Sequence, residues 1–592
     1  MKLLRLKITD PEGFRSLQPD FEHHFRTEWD LQEDQGFAPF VCAGPNGSGK
    51  SNLLEVLAAI FYQLEVLRVR RSFLPEALQE PGFDFTPAAF ELDYLIQVPL
   101  EYIKPDGPAW ARVGVWKKND EPVRFRWENQ SEFNADIYES FEAGHADILF
   151  PKYVLGYSSG ENEILSLPFF KMRFIQFDEY WNALTQQQSY PGHPDTRLAY
   201  LDSGFSQAIL LCNLLYHDTE TLRPFREDVG VEGITEFRII IRRSIEIDEA
   251  EVLAFGSQDE SRRESVDDIV RNNPALVVLD AEDSEKRAYR VNLMTLLEGD
   301  ETASPRTDGI IDQLTRCATC SYLDDATDTL YLDYWVNDAT KQAFRENFDF
   351  DVNKSPIALF QALQVLLTLN LYTVSEQLKN DLYKSDSLYV SETVPTLASD
   401  QRIMRIKEFK LKKTGSEEPV LLKSLSDGEH QLLHSLGLCL LFRNTCSLFL
   451  LDEPETHFNP DWRSNFVTRL HQCFTGSEDN HEMLVTTHTP FLISDSKPEK
   501  VLVFKKDNGT VSVTKPDYNT LGASINKITM NTFNKRETIG GHAQAELEKF
   551  RSRFNEGQDK EQLIAEINQT LGDSVEKVLL IKTILDSMEA QG

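Results

Sequence analysis

The sequence lacks several features that would assign it to a special class of protein. Seven cysteines among 592 residues are too few, and odd in number, for a disulfide framework, which fits a reducing compartment. Cys317 and Cys320 form a CxxC pair with no second pair nearby, so free thiols are predicted rather than a structural zinc site. No apolar run reaches the ~20 residues of a membrane-spanning helix, and the first residues lack the apolar segment of a signal peptide. We therefore expect a cytoplasmic protein that does not contact a membrane.

Positive charge is also scarce. The chain has 61 Lys and Arg against 95 Asp and Glu, a formal net charge of −34. This balance argues against a surface that coats nucleic acid non-specifically. Basic residues still cluster in three places: Arg-Val-Arg-Arg at 68–71, Arg242-Arg243, and Lys407, Lys410, Lys412 and Lys413. These clusters leave two alternatives open, a local DNA-binding groove and pairing with acidic neighbours.

The composition is that of an ordinary globular protein, 41% hydrophobic and 26% charged. The length of 592 residues predicts several compact units. Apolar periodicity predicts a strand at about 2–9, a strand over 37–43 and a helix from Ser51 to about Phe73. Alternating segments at 90–97, 111–116 and 122–127 predict antiparallel strands. Further along, the pattern predicts helices near 203–216, 356–383, 428–443 and 460–473, strands at 237–241, 275–279, 329–335, 447–451 and 483–487, a basic hairpin of 404–413 with 420–423, and a helical tail over about 519–592.

The most specific motif is Gly44-Pro45-Asn46-Gly47-Ser48-Gly49-Lys50-Ser51, which matches GxxxxGK[ST] and lies between an apolar strand and a helix. Its glycines allow backbone N–H groups to wrap a phosphate chain at a helix N-terminus. Lys50 is expected to reach the β- and γ-phosphates of ATP, and the Ser51 hydroxyl to bind Mg²⁺. With Asn52, this segment is the predicted ATP-binding loop.

A second motif supplies two adjacent carboxylates. The apolar run 448–451 ends in Asp452 and Glu453, and ligands bind at the carboxyl ends of buried strands in open α/β sheets. Asp452 is expected to hold Mg²⁺, directly or through water, and Glu453 to polarise the attacking water. Such a run is common by itself, but beside the ATP-binding loop it predicts a hydrolytic site.

Two weaker motifs stand at fixed distances from this strand. Ser426 opens a predicted helix 26 residues before Asp452, and His488 ends the next apolar strand 36 residues after it. Alone, the first is usually a helix N-cap and the second a polar surface residue. In this order and spacing, they resemble the signature and switch-histidine motifs of ABC-type ATPases.

The combined motifs resemble those of the SMC, RecF and OLD branch of ABC-type ATPases. The resemblance lies in Gly-Phe-Arg-Ser-Leu at 13–17, the ATP-binding loop, Asp-Glu-Pro-Glu-Thr-His-Phe-Asn-Pro at 452–460 and Thr-Thr-His-Thr-Pro at 486–490. It implies an α/β ABC-type P-loop ATPase head with an antiparallel β subdomain, a large mixed insertion and a C-terminal helical tail. The implied division is an N-terminal ATPase half over 1–156, the insertion over 157–402, a C-terminal ATPase half over 403–515 and the tail over 516–592.

The resemblance also implies roles for individual residues. Lys50, Glu453 and His488 would act in catalysis. Ser426, Gly428 and Glu429 would contact ATP held by another copy of the chain, because one chain carries one ATP-binding loop and one signature. The implied assembly is a homodimer, or a higher homo-oligomer, closed by ATP.

A narrower resemblance concerns biological role. Residues 452–460 and Thr-Leu-Gly-Ala-Ser-Ile-Asn at 520–526 look like the ATPase subunits of Septu-type and retron-linked anti-phage systems. In that group the ATPase works with an HNH endonuclease encoded nearby. The resemblance implies a bacterial defence subunit that dimerises around ATP to control this nuclease.

The sequence departs from the family pattern in two places. Asp427 stands where the signature consensus has a second glycine, which puts the local geometry there in doubt. The strand near 154–159 matches the one that leads into the Q-loop, but no glutamine follows it. Ser159, Glu161 or Asn162 are the candidates for contacting metal or water in its place.

Two alternatives belong to other functional classes. A DNA-repair ATPase of the RecF or SMC kind would be favoured by a coiled coil, but no run of three or more heptads is present. A single-chain OLD-like nuclease needs a clustered Glu and Asp-x-Asp, and no Asp-x-Asp follows residue 515. The pair at Asp349 and Asp351 lies in the predicted insertion, where a solvated turn is expected. No nuclease site is therefore recognised in this chain.

Overall fold

The computed structural model describes residues 1–27, 36–69, 74–79, 83–134, 145–159, 163, 165–185, 197–200, 202–256, 264–279, 287–298, 309–348, 355–385, 394–477, 481–533 and 539–589. The strands are β1 (Lys2–Ile8), β2 (Glu22–His24), β3 (Phe40–Ala43), β4 (Phe90–Gln97), β5 (Trp110–Lys117), β6 (Arg124–Trp127), β7 (Tyr153–Ser158), β8 (Leu198–Tyr200), β9 (Val231–Arg242), β10 (Ser244–Ile247), β11 (Leu276–Leu279), β12 (Ala288–Asn292), β13 (Cys320–Asp324), β14 (Thr329–Trp335), β15 (Met404–Lys413), β16 (Val420–Leu421), β17 (Ser447–Asp452), β18 (Glu482–Thr487), β19 (Val501–Asp507) and β20 (Thr510–Thr514).

The described residues also form α-helices between these strands and after them. They are Lys50–Arg68, Glu76–Gln79, Leu167–Thr185, Ser203–Tyr216, Arg223–Val229, Glu249–Val252, Val266–Asn272, Leu293–Glu298, Ile310–Cys317, Asp338–Asn347, Ile357–Thr368, Glu376–Lys384, Asp427–Leu441, Pro460–Cys473, Pro490–Ser494, Ile525–Thr532, Gly541–Asn555, Lys560–Thr570 and Val575–Glu589. The helix Lys50–Arg68 is called the P-loop helix, and Asp427–Leu441 is called the signature helix.

The centre of the fold is a seven-stranded sheet in the order β20-β19-β3-β18-β17-β7-β8. Its strands run parallel, except for the β19–β20 hairpin. β3, β17 and β18 are buried along their whole length, as apolar strands covered on both faces must be. The register places Ala43 beside Thr487 and Asp452 beside Thr486. The carboxyl ends of these three strands therefore meet at one edge of the sheet.

A second sheet, antiparallel in the order β2-β1-β4-β5-β6, covers the first. The P-loop helix lies between the two sheets, and its apolar residues pack in one core with both. The helix ends at Arg68 because Val69 takes an extended conformation with ψ 137°. The predicted helix to Phe73 is therefore too long, and residues 70–73 lie outside the described residues.

A buried ion pair joins the two sheets. The Arg26 guanidinium, just after β2, donates to both carboxylate oxygens of Glu482 on β18, with one contact at 3.0 Å. The backbone N–H of Leu3 on β1 donates to the same carboxylate at 2.7 Å. Both charged side chains are almost fully buried, so the pair depends on these hydrogen bonds to offset the loss of water.

The predicted insertion contributes two further antiparallel sheets, β13-β14-β9-β15-β16 and β10-β12-β11. β9, within the insertion, pairs with β15 of the C-terminal half from Val231 to Ile241. Their apolar faces pack in the same core as β17 and β18. The insertion and the C-terminal half therefore share a hydrophobic core.

The α/β head with an antiparallel β subdomain, predicted from the sequence, is confirmed. The predicted helix over 356–383 is wrong as a single element, because Ile357–Leu371 and Glu376–Lys384 meet at 106° and Ser375 caps the second helix. The helix Leu167–Thr185 and the hairpin of β19 with β20 were not predicted. In the tail, the last three helices enclose a small core of Leu547, Phe550, Leu563, Ile567, Leu580 and Ile584.

Among the described residues, no single helix combines the length and apolar character needed to cross a membrane. The bent pair Ile357–Leu371 and Glu376–Lys384 reaches that length and composition only when its two helices are taken together.

Candidate nucleotide-binding site

The ATP-binding loop connects the end of β3 to the P-loop helix. Gly44, Gly47 and Gly49 have φ angles of 151°, 72° and 98°, which side-chain-bearing residues rarely adopt. A Cβ on Gly44 would lie 2.5 Å from the carbonyl oxygen of Phe504, so glycine is also required there by space. These conformations wrap the backbone around the position where the motif predicts phosphate.

Lys50 lies folded over this loop. Its ammonium group donates to the carbonyl oxygens of Gly44 and Pro45, both at 3.0 Å. Burial lowers its pKa, against the opposing effect of Glu453 and Asp452 nearby. The buried Ser48 hydroxyl has no hydrogen-bond partner among the described residues. The loop thus holds a cation and an unsatisfied hydroxyl, and both can bind phosphate oxygens.

The predicted magnesium ligands, Ser51 and Asp452, are in contact. The Ser51 hydroxyl donates to the Asp452 carboxylate at 2.8 Å, and the Thr486 hydroxyl donates to the same oxygen at 2.6 Å. Asp452 is fully buried, and burial raises its pKa above the ordinary value. Oxygen donors of this kind are the ligands that Mg²⁺ prefers, so the residues present fit the ion.

Glu453, the predicted water-polarising residue, has a φ of 49°, unusual for a residue with a side chain. Its backbone N–H donates to the Thr486 hydroxyl at 3.0 Å, which holds this turn. Its carboxylate accepts a hydrogen bond from His488 Nε2. That hydrogen bond is the main reason why the pKa of Glu453 is lowered. The structure therefore brings together the two predicted catalytic residues at the ends of β17 and β18.

Glu455 was quoted in the sequence motif but given no role, and it is a notable buried group of the site. It is 2% exposed, and its carboxyl accepts a hydrogen bond from the Thr487 hydroxyl. Its second oxygen has no partner among the described residues. Burial raises its pKa to about 7. Only its place two residues after Glu453 could have drawn attention to it, because its burial depends on the turn that follows β17.

The signature residues lie at the start of the signature helix. Ser426 is its N-cap and forms a reciprocal capping box with Glu429, which also pairs with Lys413. Gly428 packs against the segment after β17, since a Cβ there would lie 2.8 Å from the carbonyl oxygen of His457. Among the hydrogen bonds of the described residues, none links these residues to the ATP-binding loop. The capping box explains why Ser and Glu stand at this spacing, independently of any role toward nucleotide.

The Q-loop candidates are only partly within the described residues. The Ser159 N–H donates to the carbonyl oxygen of Asp452 at 3.1 Å, and its hydroxyl lies 2.9 Å from that of Thr456. Glu161 and Asn162 lie outside the described residues. Ser159 is thus beside the site, in contact with the backbone of the predicted metal ligand.

A short chain of hydrogen bonds links Gly-Phe-Arg-Ser-Leu to the P-loop helix. The Ser16 hydroxyl donates to Asn52 at 2.6 Å, Asn52 donates to Glu55 at 3.2 Å, and Arg15 donates to Glu55 at 3.0 Å. Asn52 therefore faces this segment, and its amide group is already used in holding it.

The basic clusters are mostly neutralised by carboxylates. Arg70 and Arg71 lie outside the described residues. The described pairs are Arg68 with Glu65 and Asp147, Arg243 with Asp328, Lys410 with Glu236, Lys412 with Glu232, and Lys413 with Glu429. These residues are paired in the structure, whereas Lys407 is exposed.

The CxxC pair consists of free thiols, Cys317 buried and Cys320 exposed. Within the described part of the chain, no three His, Cys, Asp or Glu side chains converge to form a metal site. The pair at Asp349 and Asp351 lies outside that part.

Comparison with known proteins adds one match to a family. Residues 336–494 match the family described as "AAA domain, putative AbiEii toxin, Type IV TA system". This segment includes the signature helix, β17 and β18. No curated protein matches the chain.

Solved structures with some likeness include an SMC head bound to the C-terminal winged-helix domain of ScpA, at 10% identity and a TM-score of 0.30, covering 87% of this chain and 98% of that one. Another is the SMC head domain from Thermotoga maritima, at 11% identity and a TM-score of 0.28, covering 88% and 100%. Likeness at this level supports no conclusion about function. The ATP-binding loop, the order of the parallel strands and the family match instead support a P-loop ATPase.

Proposed function

We propose that this protein hydrolyses ATP with Mg²⁺, dimerises around the nucleotide and thereby controls an associated HNH endonuclease in anti-phage defence. The observation that carries the ATPase proposal is the meeting of Lys50, Ser51, Asp452, Glu453 and His488 at one edge of the central sheet. The defence role and the nuclease partner rest on the sequence resemblance. A RecF- or SMC-like repair ATPase is the alternative.

In this proposal each residue has a defined task. Lys50 leaves the carbonyls of Gly44 and Pro45 and binds the β- and γ-phosphates. Ser51 and Asp452 would hold Mg²⁺, which supplies charge neutralisation of the phosphates when bound. Glu453 takes a proton from the attacking water, and His488, now its hydrogen-bond donor, orients it.

The first test measures Mg²⁺-dependent phosphate release. Lys50→Ala should lose ATP binding and turnover, because the loop loses its mobile cation. Glu453→Gln should bind ATP but hydrolyse it about 10²–10⁴-fold more slowly, as expected for loss of one positioned base. Glu418→Gln, at an exposed turn, is the matched control. Wild-type turnover in Glu453→Gln would contradict the assigned role.

The second test concerns the composite site. Ser426 is exposed at the start of the signature helix, so its hydroxyl is accessible to another protomer. Ser426→Arg should bind ATP yet fail to close. Mixing it with excess Lys50→Ala protein should restore some hydrolysis, because one of two sites then joins an intact loop to an intact signature. Failure of this rescue, with both variants folded, would contradict an intermolecular site.

The third test addresses the partner. The protein is purified with the HNH protein encoded beside it, if one is present, and DNA cleavage is measured with ATP and in the Glu453→Gln variant. Nuclease activity that depends on the nucleotide state supports the proposal. Repair genes in that position would favour the repair ATPase. The division into 1–156, 157–402, 403–515 and 516–592 is likewise proposed as the working domain map.

A further inference from the structure

The sheet β13-β14-β9-β15-β16 turns one face to the core and one outward. Phe237, Ile239, Leu332 and Tyr334 form part of the inner face and are buried. Because side chains alternate along a strand, the residues between them form the outer face. That outer face carries an unusual set of aromatic and basic side chains.

Three aromatic residues lie on this face. Tyr322 on β13 stands opposite Tyr331 on β14, and their rings stack at 4.7 Å with an interplanar angle of 1°. Trp335 lies four residues beyond Tyr331, about 13 Å along the strand. Tyr322 is 45% exposed and Trp335 is 68% exposed. Tyr and Trp side chains are enriched at binding interfaces, where one end of the ring is apolar and the other is polar.

Basic side chains lie on the same outer face of the next two strands, β9 and β15. Arg238 on β9 lies over the Tyr331 ring at 5.7 Å and pairs with Asp333. On β15, the residue paired with Arg238 is Lys407, which is exposed. The outer positions of β9 and β15 also include Arg242, Arg405 and Lys410, of which Lys410 pairs with Glu236 on the same face. On a protein with a net charge of −34, a face that places basic residues beside exposed rings is distinctive.

The arrangement is rigid as well as exposed. β9 is paired on both sides, with β14 from Glu236 to Arg242 and with β15 from Val231 to Ile241. The aromatic and basic side chains are therefore held on a continuous hydrogen-bonded sheet. Such a preformed surface loses little conformational entropy when a ligand stacks on it.

We propose that this face, defined as Tyr322, Tyr331, Trp335, Arg238 and Lys407, binds single-stranded nucleic acid. Unpaired bases stack on the exposed rings, and the phosphate backbone runs along β15 beside Lys407. Every base has a π-face, so the binding tolerates many sequences. A duplex hides those faces, and the face offers no groove-reading helix. The proposal concerns a surface separate from the ATP site and does not depend on ATP hydrolysis.

The experiment measures fluorescence anisotropy of labelled dT20, rU20 and a 20-base-pair DNA duplex with the full-length, nucleotide-free protein. Single strands should bind more tightly than the duplex. Comparison of dT20 with rU20 distinguishes DNA from RNA as the source of the strand. The double variant Tyr322→Ala/Trp335→Ala should weaken single-strand binding by about 5- to 150-fold for each base that loses its stacking partner.

Two further variants separate stacking from charge and from misfolding. Trp335→Phe should keep most of the affinity, because it keeps a ring. Lys407→Glu should weaken binding and reduce its salt dependence. The controls are Leu100→Ala, at a residue that is 87% exposed, and Lys505→Glu, at an exposed lysine of β19; both should bind like the wild type.

The proposal is overturned if neither single strand binds at tens of micromolar protein, or if the duplex binds as tightly. It is also overturned if the Tyr322→Ala/Trp335→Ala protein, with an unchanged melting temperature, binds like the wild type. If this face binds a polypeptide and added oligonucleotide does not change that binding, the face is a docking site for a protein partner instead.

Discussion

Glu455 provides a test of the site that does not depend on knowing the partner. Its side chain is buried, its pKa is raised from 4.5 to about 7, and one of its oxygens lacks a partner among the described residues. We therefore expect Glu455→Gln to stabilise the protein at alkaline pH. The amide still accepts the hydrogen bond from the Thr487 hydroxyl, but it does not ionise.

The direction and the size of this change in stability with pH follow from the linkage between proton binding and folding. Burial favours the protonated carboxyl, so the folded state binds the proton more tightly than the unfolded state. The stability contributed by the protonated group is fully present below pH 4.5 and is lost as the pH rises toward 7. At about 1.36 kcal/mol for each pH unit between the two pKa values, the loss is about 3 kcal/mol.

The assay is urea unfolding of the wild type and of Glu455→Gln at pH 5 and pH 8, with Glu418→Gln as control for removing an exposed carboxylate. The difference in unfolding free energy between variant and wild type should rise by about 2–3 kcal/mol from pH 5 to pH 8. All other groups titrate alike in the two proteins, so their contributions cancel in this difference. A difference that stays constant with pH, or that falls, would refute the assignment of Glu455 as a buried carboxyl of raised pKa.

Three other predictions follow from individual contacts. Glu482→Gln should destabilise the protein by about 3–5 kcal/mol in urea unfolding, because the buried Arg26 guanidinium loses the carboxylate that accepts two of its hydrogen bonds. Replacing both residues by leucine should cost less than that. Thr486→Val should lower the unfolding free energy by about 1–3 kcal/mol, since Asp452 loses a buried donor and the Glu453 N–H loses its acceptor. His488→Ala should move the acid limb of the pH profile of ATP hydrolysis to higher pH, because the hydrogen bond that lowers the pKa of Glu453 is lost. If the acid limb does not move, His488 does not lower the pKa of the catalytic base.

The residues of the ATP-binding loop could be predicted because their chemistry is local. Three glycines with positive φ, a lysine and a serine between a strand and a helix leave few other conformations. The meeting of Ser51 with Asp452, 401 residues apart, could also be predicted, because parallel strands share one carboxyl edge.

Other features could not be predicted, because they depend on contacts between distant segments. The neutralisation of Lys410 and Lys412 requires the pairing of β15 with β9, and nothing in the basic hairpin indicates Glu236 or Glu232 as partners. The exposed face around Trp335 likewise depends on contacts between distant segments, so it could not be predicted. Alternation identified β14 as a strand, but only its neighbours determine which side faces solvent.

The ligand-free site satisfies its own polar groups, and this arrangement bears on how hydrolysis is controlled. Lys50 is held by two loop carbonyls, and Glu453 by His488. A hydrogen bond that lowers the pKa of Glu453 also makes it a weaker base, so proton abstraction is less favourable while His488 donates to it.

The backbone at Glu453 is not free to adjust, because its φ of 49° is fixed by the Thr486 hydroxyl. Such a conformation costs about 1–3 kcal/mol and persists only when its surroundings hold it. The change from resting to hydrolysing states is therefore expected to occur in the side chains of Lys50, Glu453 and His488, while the end of β17 stays in place.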